Sequence, residues 1–242
     1  MKPPHTHRLL AATLLAAATL YGCNDNALVL VGHADLRPEE GCAWTGDRDG
    51  PFLTTGVMDI TLTPTYTMLP VFLNQGDSDL ALEEARVTFA TNVPALNSVL
   101  SQGATLPLDT AIGVGKTTMV DVALIHEALG RQIQSTGLFD QRGVQVSLLA
   151  EIEVTGRASG DEVVSNRFSF LIDVCAGCLL WYPPGTLSED SDGSPTCEVT
   201  QDTLSSADAE PVCVYGQDAP LDCRLCRDAV DDPDNADALC DP

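Results

Sequence analysis

The chain has 242 residues, and 35 Asp plus Glu stand against 12 Lys plus Arg, a formal net charge of −23. Hydrophobic residues make up 44% of it, which is enough to bury a core and argues against wholesale disorder. The acidic balance argues against nucleic acid as a partner, because phosphate binding needs a basic patch and the only lysines are Lys2 and Lys116.

The amino terminus has the pattern of an export signal. Residues 1–8 carry Lys2 and Arg8 without an acidic group, and residues 9–20 are an uncharged run of Leu, Ala and Thr. A basic head before about a dozen apolar residues is typical of a secretory signal peptide and is too short for a permanent membrane-spanning helix. No later stretch approaches the ~18 apolar residues of such a helix. Residues 1–22 are therefore predicted to be a signal peptide.

The tetrapeptide Leu20-Tyr21-Gly22-Cys23 resembles the lipobox of bacterial lipoproteins, in which Leu stands three residues before the Cys and a small residue directly before it. The resemblance is confined to this amino-terminal region. It implies that Cys23 becomes the first residue of the mature chain, carries lipid and anchors the protein to a membrane of the bacterial cell envelope. Asn24 does not match the Asp of a retention signal, which favours the outer membrane. The alternative is an ordinary secretory signal with a chance cysteine at its end.

The residues after the anchor divide by composition. Residues 23–55 are interpreted as the lipidated amino terminus and a linker, with a short apolar run at 27–31, and residues 56–175 are rich in strand patterns. Strands are predicted at 57–62, 66–73, 85–91 and 118–125, and the last runs into a short helix at 126–134. Pro70 should make the second of these an edge strand or mark a bulge.

The clearest pattern is a hairpin over residues 143–155 and 162–174. Apolar side chains occupy the even positions of both segments, and a Gly-containing turn separates them. The inward set comprises Val144, Val146, Leu148, Ile152, Val154, Val164, Phe168, Phe170, Ile172 and Val174. A period of two predicts adjacent antiparallel strands with one buried face. The fold class is therefore predicted to be all-β, an antiparallel β-sandwich, with a small open barrel as the alternative.

Residues 176–242 are predicted to form an acidic, cysteine-rich, irregular tail that is ordered by cross-linking. Apart from Cys23, eight cysteines remain, an even number, and all are disulfide candidates: Cys42, Cys175, Cys178, Cys197, Cys213, Cys223, Cys226 and Cys240. Cys42 is expected to pair with a tail cysteine, with Cys175 or Cys178 favoured. The two CxxC pairs leave a zinc site and a thioredoxin-like redox pair as weaker alternatives, because their spacing and context fit neither pattern.

Other motifs are interpreted as turns. Gly113-Val114-Gly115-Lys116-Thr117 lacks the earlier glycine of a phosphate-binding loop and is predicted to be a turn before a strand. Asp47-Arg48-Asp49-Gly50 and Asp190-Ser191-Asp192-Gly193 look like fragments of calcium loops but fail the full template. No metal site and no cofactor are therefore predicted.

The sequence offers little for catalysis. After the predicted signal peptide only His33 and His126 remain as imidazole bases, and both are predicted to lie at the surface. The favoured function is a non-enzymatic, lipid-anchored envelope protein with a binding or structural role, for which the protein or glycan partner is unknown. The alternatives are an envelope hydrolase that uses paired carboxylates and a calcium-dependent adhesion module.

Overall fold

The computed structural model describes residues 27–44, 46, 48–183 and 212–225, together with the backbone of residues 187–189 and 195–197. The predicted signal peptide and Cys23 lie outside the described residues, as do Cys226 and Cys240.

The described chain is built mainly of strands. They are β1 Leu28–Ala34, β2 Phe52–Leu53, β3 Thr55–Asp59, β4 Tyr66–Met68, β5 Pro70–Asn74, β6 Leu80–Ala90, β7 Ala104–Ile112, β8 Thr117–Met119, β9 Val122–Ile125, β10 Gln145–Ala158, β11 Asp161–Val164, β12 Phe168–Cys175, β13 Leu180–Trp181, β14 Leu187–Glu189, β15 Pro195–Cys197 and β16 Leu221–Asp222. The other elements of the described residues are a 3-10 turn at Pro38–Glu40, the helices α1 Pro94–Leu100 and α2 Glu127–Gln134, and helical residues at 223–225.

Two larger sheets share one hydrophobic core. The first has the order β2-β1-β5-β8, and the second has the order β3-β12-β10-β6-β7 with β11 paired to β10. Leu30 and Phe72 of the first sheet belong to the same buried cluster as Val87, Leu148 and Phe170 of the second. The predicted all-β class is confirmed. The strand pairs of these sheets are antiparallel except β3 and β12, which run parallel.

The predicted hairpin is confirmed by the pairing of β10 with β12, in which Val146 lies opposite Val174 and Ala150 opposite Phe170. Even-numbered side chains of β10 and β12 face the core, as the period of two predicts. Val164, which was predicted to face inward, lies in β11 and is 37% exposed. The reason is that β11 pairs with β10 in a register shifted by one residue relative to that of β12. Phe168 is only half-buried.

Two predicted strands each divide between sheets. The strand predicted at 66–73 breaks at Leu69, so that β4 pairs with β9 while β5 joins the first sheet. The strand predicted at 118–125 likewise divides into β8 and β9. Pro70, the first residue of β5, has no N–H to continue a ladder, which is the physical reason for the first break. The short helix is confirmed as α2, and the His126 side chain caps it by accepting a hydrogen bond from the Leu129 N–H.

The boundaries of the sandwich differ from those predicted. β1 and β2 belong to the first sheet, so part of the segment interpreted as a linker is structural core. At the other end, residues 212–225 pack against the sandwich rather than standing apart as a tail. Gln217 bridges to Met58, and Leu221 and Cys223 are buried in a second cluster with Leu62.

Candidate functional site

Three titratable side chains meet where β1, β4 and the segment 212–220 come together. His33 of β1 is 1% exposed, and Tyr66 of β4 is fully buried. The His33 Nε2 atom lies 3.3 Å from the Tyr66 hydroxyl oxygen, and that hydroxyl donates to both carboxylate oxygens of Asp218, at 3.0 and 3.1 Å. The prediction that His33 and His126 lie at the surface is wrong for His33 because β1 is a core strand, and His126 is half-buried as a helix cap.

The hydrogen bonds of the cluster run in one direction, from His33 through Tyr66 to Asp218. The Leu69 backbone N–H donates to His33 Nδ1 at 3.4 Å, which assigns the ring proton of a neutral His33 to Nε2. Nε2 then donates to the Tyr66 oxygen, and Tyr66 donates onward to Asp218. Burial lowers the pKa of His33 to about 4, so the ring is neutral at pH 7.

The Asp218 carboxyl is the group of the cluster that titrates nearest to neutrality. Burial raises its pKa to about 6, assisted by the nearby charge of Asp35 and opposed by hydrogen bonds from the Val57 N–H, Tyr66 and Gln217. Burial, and then the adjacent Asp218 charge, raise the pKa of Tyr66. Tyr66 therefore remains protonated at physiological pH and continues to donate.

Small backbone features bring these groups together. A Cβ atom at Gly56 would collide with the Tyr66 hydroxyl, so glycine at this position permits the approach of the ring. Asp218 itself has a positive φ of 61°, a conformation that Asp tolerates better than most residues. The Gln217 side chain accepts from the Thr67 N–H at 2.9 Å and donates to the Thr67 carbonyl at 2.8 Å, in the manner of a neighbouring strand.

A cleft of about 60 Å³ opens beside the cluster. Its walls include His33, Asp35, Leu53, Cys213 and Asp218. Pockets that hold organic ligands usually exceed about 300 Å³, so this cleft has room for a few water molecules rather than for a sugar or a peptide. Asp35 and Asp218 are therefore a candidate for the predicted acidic pair, and burial raises the pKa of Asp218.

A second acidic pair lies on the outer face of the larger sheet. Glu151 and Glu153 of β10 line a cleft of about 180 Å³ together with Arg86 and Arg167. Arg167 lies 3.9 Å from Glu153, and the two arginines are exposed whereas the two glutamates are half-buried. The arrangement is typical of a solvated, charge-balanced strand face.

The disulfides that the structure describes differ from the favoured pairing. Cys42 bonds Cys213, and Cys175 bonds Cys178, so neither Cys175 nor Cys178 is the partner of Cys42. The reason is geometric, because Cys178 turns back toward Cys175 at the end of β12 while the segment around Cys213 docks beside the 3-10 turn. Cys223 is also disulfide-bonded. The side chain of Cys197 lies outside the described residues.

The Cys175–Cys178 loop surrounds a buried carboxylate. Asp59 of β3 is fully buried and accepts hydrogen bonds from the backbone N–H groups of Gly177 and Leu179, each at 2.9 Å, and from the Thr61 N–H and hydroxyl. One Asp59 oxygen and the two sulfur atoms all lie within 4.8 Å of one another. In the disulfide form, neither sulfur is a thiolate that could bind zinc.

The glycine-rich motif forms a turn, and the two acidic motifs lie wholly or partly outside the described residues. Residues 113–116 form the turn between β7 and β8, with Gly115 at φ +67°, as predicted. Asp47, Asp190 and Asp192 of the calcium-loop fragments lie outside the described residues.

Tyr66, Asp59, Gln217 and Asp218 are not indicated by the sequence, because no local motif distinguishes them from ordinary strand and turn residues. Within the described part of the chain, no helix is long and apolar enough to cross a membrane.

Comparisons with known proteins add little. A solved structure described as a protein from Archaeoglobus fulgidus is 12% identical, with a TM-score of 0.33, over 46% of this chain and 86% of its own. A likeness at that TM-score supports no statement about function. No known family's profile matches the chain. A search of curated proteins gave no match either.

Proposed function

We propose that this protein is a non-enzymatic lipoprotein of the bacterial envelope, anchored through Cys23 and acting through binding or as a structural component. The amino-terminal pattern and its resemblance to a lipobox support the anchor. An outer-membrane location follows from Asn24 in the position after Cys23.

The non-enzymatic role is supported by the hydrogen bonds of Asp218 and Gln217, which bind backbone groups of neighbouring strands. Asp218 accepts from the Val57 N–H at 2.8 Å, its own N–H donates to the Val57 carbonyl, and Gln217 occupies both backbone groups of Thr67. These side chains hold the segment 212–220 to the sandwich. The cleft beside them, at about 60 Å³, is small for a site that encloses a substrate, which supports binding through the outer surface.

The anchor would hold the domain close to the membrane. Leu28 begins β1 only five residues after Cys23, a span of at most about 18 Å. The Ala27 carbonyl accepts from Gln75, and Asn74 exchanges backbone hydrogen bonds with Gly115 and Lys116. The turns at 74–76 and 113–116 therefore lie at the anchored end, which favours a partner at or near the membrane surface.

The anchor is tested with Cys23→Ser and, as its matched control, Asn24→Ser. Mass spectrometry of the amino-terminal peptide should find a lipid on Cys23 in the wild-type protein and in the control, and detergent should be needed to extract both from envelopes. The Cys23→Ser protein should be released without detergent. An unmodified wild-type peptide that begins elsewhere would refute the anchor.

A hydrolase remains the second candidate, because Asp218 and Asp35 share a cleft and the pKa of Asp218 is raised to about 6. Purified protein is tested against envelope polysaccharides, alongside Asp218→Asn and Asp35→Asn. The proposed role predicts no turnover by any of the three proteins. Hydrolysis by the wild type that either substitution abolishes would replace the binding role with the enzymatic one.

A further inference from the structure

We propose that the Cys175–Cys178 disulfide is an exchangeable redox centre that trades electrons with protein thiols, with Cys178 as the sulfur that is attacked and Asp59 as the proton partner of Cys175. This activity goes beyond the proposed binding role and does not depend on the lipid anchor.

The two sulfurs have different environments. Cys175 ends β12 and is buried, whereas Cys178 is exposed at the surface of the loop. An incoming thiolate can therefore reach Cys178 but not Cys175. A CxxC pair with one accessible and one enclosed sulfur is the arrangement that thiol–disulfide exchange requires, since one sulfur must form the mixed disulfide and the other must resolve it.

A cation lies over the loop. The Arg142 side chain packs across Gly177, where its Nε atom is 2.9 Å from the position that a Cβ atom would take. Its guanidinium also lies 5.3 Å from the centre of the Tyr182 ring and donates to the Tyr182 hydroxyl at 3.2 Å. Tyr182 thus holds a positive charge beside the residue that precedes Cys178, where it favours an approaching thiolate and the thiolate of Cys178 itself.

A carboxylate lies under the loop. Asp59 holds the loop closed through the Gly177 and Leu179 N–H groups, and one of its oxygens lies within 4.8 Å of both sulfurs. Within that distance a proton can pass between the carboxylate and a sulfur directly or through one water molecule. A buried carboxylate in this position can take up the proton that a buried thiol must lose before it attacks.

The exchange balances in two steps. A protein thiolate attacks the Cys178 sulfur, the Cys175–Cys178 bond breaks, and Cys175 leaves as a thiolate that takes up a proton. A second thiol then attacks the partner's sulfur in the mixed disulfide, which releases Cys178 and an oxidised partner. Two thiols are oxidised to one disulfide while the loop gains two electrons and two protons. In the reverse direction, the Cys175 thiol passes its proton to Asp59 as it attacks the mixed disulfide.

The first experiment titrates the folded, oxidised protein with reduced and oxidised glutathione. Free thiols are trapped by alkylation and located by mass spectrometry, while circular dichroism reports the fold. We expect Cys175 and Cys178 to become reduced in folded protein under buffers that leave Cys42–Cys213 intact. Opening of Cys175–Cys178 only together with Cys42–Cys213 or with unfolding would overturn the proposal.

The second experiment assigns the roles of the sulfurs with a matched pair of variants. In Cys175→Ser, Cys178 should form a mixed disulfide with oxidised glutathione about tenfold faster or more than Cys175 does in Cys178→Ser. Equal rates would contradict the assignment. If the fully reduced wild-type protein retains one equivalent of Zn²⁺ and does not exchange with glutathione, the site binds metal and the proposal fails.

The third experiment concerns Asp59. Asp59→Asn should slow the closing of the loop from its glutathione mixed disulfide and change the pH profile of that step, whereas Asp77→Asn, which removes an exposed carboxylate, should not. An unchanged profile in folded Asp59→Asn would remove Asp59 from the mechanism. If that variant does not fold, Arg142→Gln provides the comparison, with a slower attack of glutathione on Cys178 expected and an unchanged rate counting against the proposal.

Discussion

Asp218 and His33 carry opposite pKa shifts at the same buried place. The pKa of Asp218 is raised from 3.8 to about 6 by burial, so between these values the folded protein binds more protons there than the unfolded chain. Its contribution to stability therefore falls as the pH rises through that window. The pKa of His33 is lowered from 6.5 to about 4, so its contribution rises with pH over an overlapping window. The two trends oppose each other in the wild-type protein.

Asp218→Asn separates these trends, because the amide cannot ionise. Relative to the wild type, the variant should gain stability between about pH 4 and pH 6, by up to about 3 kcal/mol. Urea unfolding at several pH values measures the difference. Asp77→Asn, at an exposed position, is the control and should show no comparable trend. Parallel pH curves for Asp218→Asn and the wild type would contradict the raised pKa.

Phe170 tests the buried face of the sheet. Its ring is 1% exposed and lies 5.1 Å from the centre of the His33 ring, so Phe170→Ala should leave a cavity and cost about 3–5 kcal/mol of unfolding free energy. Ser169→Ala, on the opposite face, should cost less than about 0.5 kcal/mol. Phe168→Ala should cost less than Phe170→Ala, because Phe168 is half-buried. Denaturant unfolding compares the three variants, and a large loss at Ser169 would reverse the assigned faces.

Among the secondary-structure elements, β11 and β12 both pair with β10, but their registers differ by one residue. The residues 165–167 between these strands absorb one extra position relative to β10. Ser165 and Asn166 use that irregularity to make new contacts. The Ser165 hydroxyl accepts from the Val154 N–H, and the Asn166 side chain accepts from the Leu30 N–H at 2.7 Å and donates to the Leu30 carbonyl at 3.2 Å. Asn166 thus ties the larger sheet to β1 of the smaller one.

Asn166→Ala should cost about 1–3 kcal/mol, because it leaves the buried backbone groups of Leu30 without these partners. Amide hydrogen exchange should show faster exchange at Leu30 than in the wild type. Asn166→Asp keeps an acceptor for the N–H and should protect this amide better than alanine does. Asn97→Ala, on the exposed side of α1, should change stability by no more than about 0.5 kcal/mol. Unchanged exchange at Leu30 in Asn166→Ala would refute the link.

At the scale of the whole molecule, the Cys42–Cys213 disulfide joins the two ends of the described chain. Its cysteines are separated by 171 residues in sequence, whereas Cys175 and Cys178 are separated by three. In the chain-entropy description a cross-link stabilises mainly by restricting the unfolded chain, and the effect grows with the loop it closes. Of these two disulfides, the long-range one therefore contributes more to holding the segment that bears Gln217 and Asp218.

Replacing both Cys42 and Cys213 by Ser should cost about 5 kcal/mol, and replacing both Cys175 and Cys178 about 2 kcal/mol. Thermal and urea unfolding of the two double variants test this order. The Cys42/Cys213 variant should also expose the segment near residue 213 to proteolysis before the sandwich unfolds. Equal losses of unfolding free energy in the two variants would mean that native contacts, rather than the length of the closed loop, determine how much each disulfide stabilises the protein.

Features that depend on neighbouring residues could be predicted from the amino-acid sequence alone. Alternation along β10 and β12 identified the buried face, and the residues around His126 indicated a helix start, because strand pleat and helix capping are local geometry. The even number of cysteines indicated a disulfide between Cys42 and a tail residue. The exposure of Val164 and the break at Pro70 could not be predicted from local patterns, because a bulge or a change of sheet depends on which strand lies alongside.

The candidate site, by contrast, depends on contacts between residues that are far apart in the sequence. Tyr66 and Asp218 are separated by 152 residues, and Asp59 and Gly177 by 118, so no local pattern relates them. The burial of His33, the raised pKa of Asp218 and the carboxylate under the Cys175–Cys178 loop all follow from desolvation, which depends on the strands and segments packed around each group. The sequence specifies the local geometry of each strand, whereas the polarity of the surroundings is established only when distant strands meet.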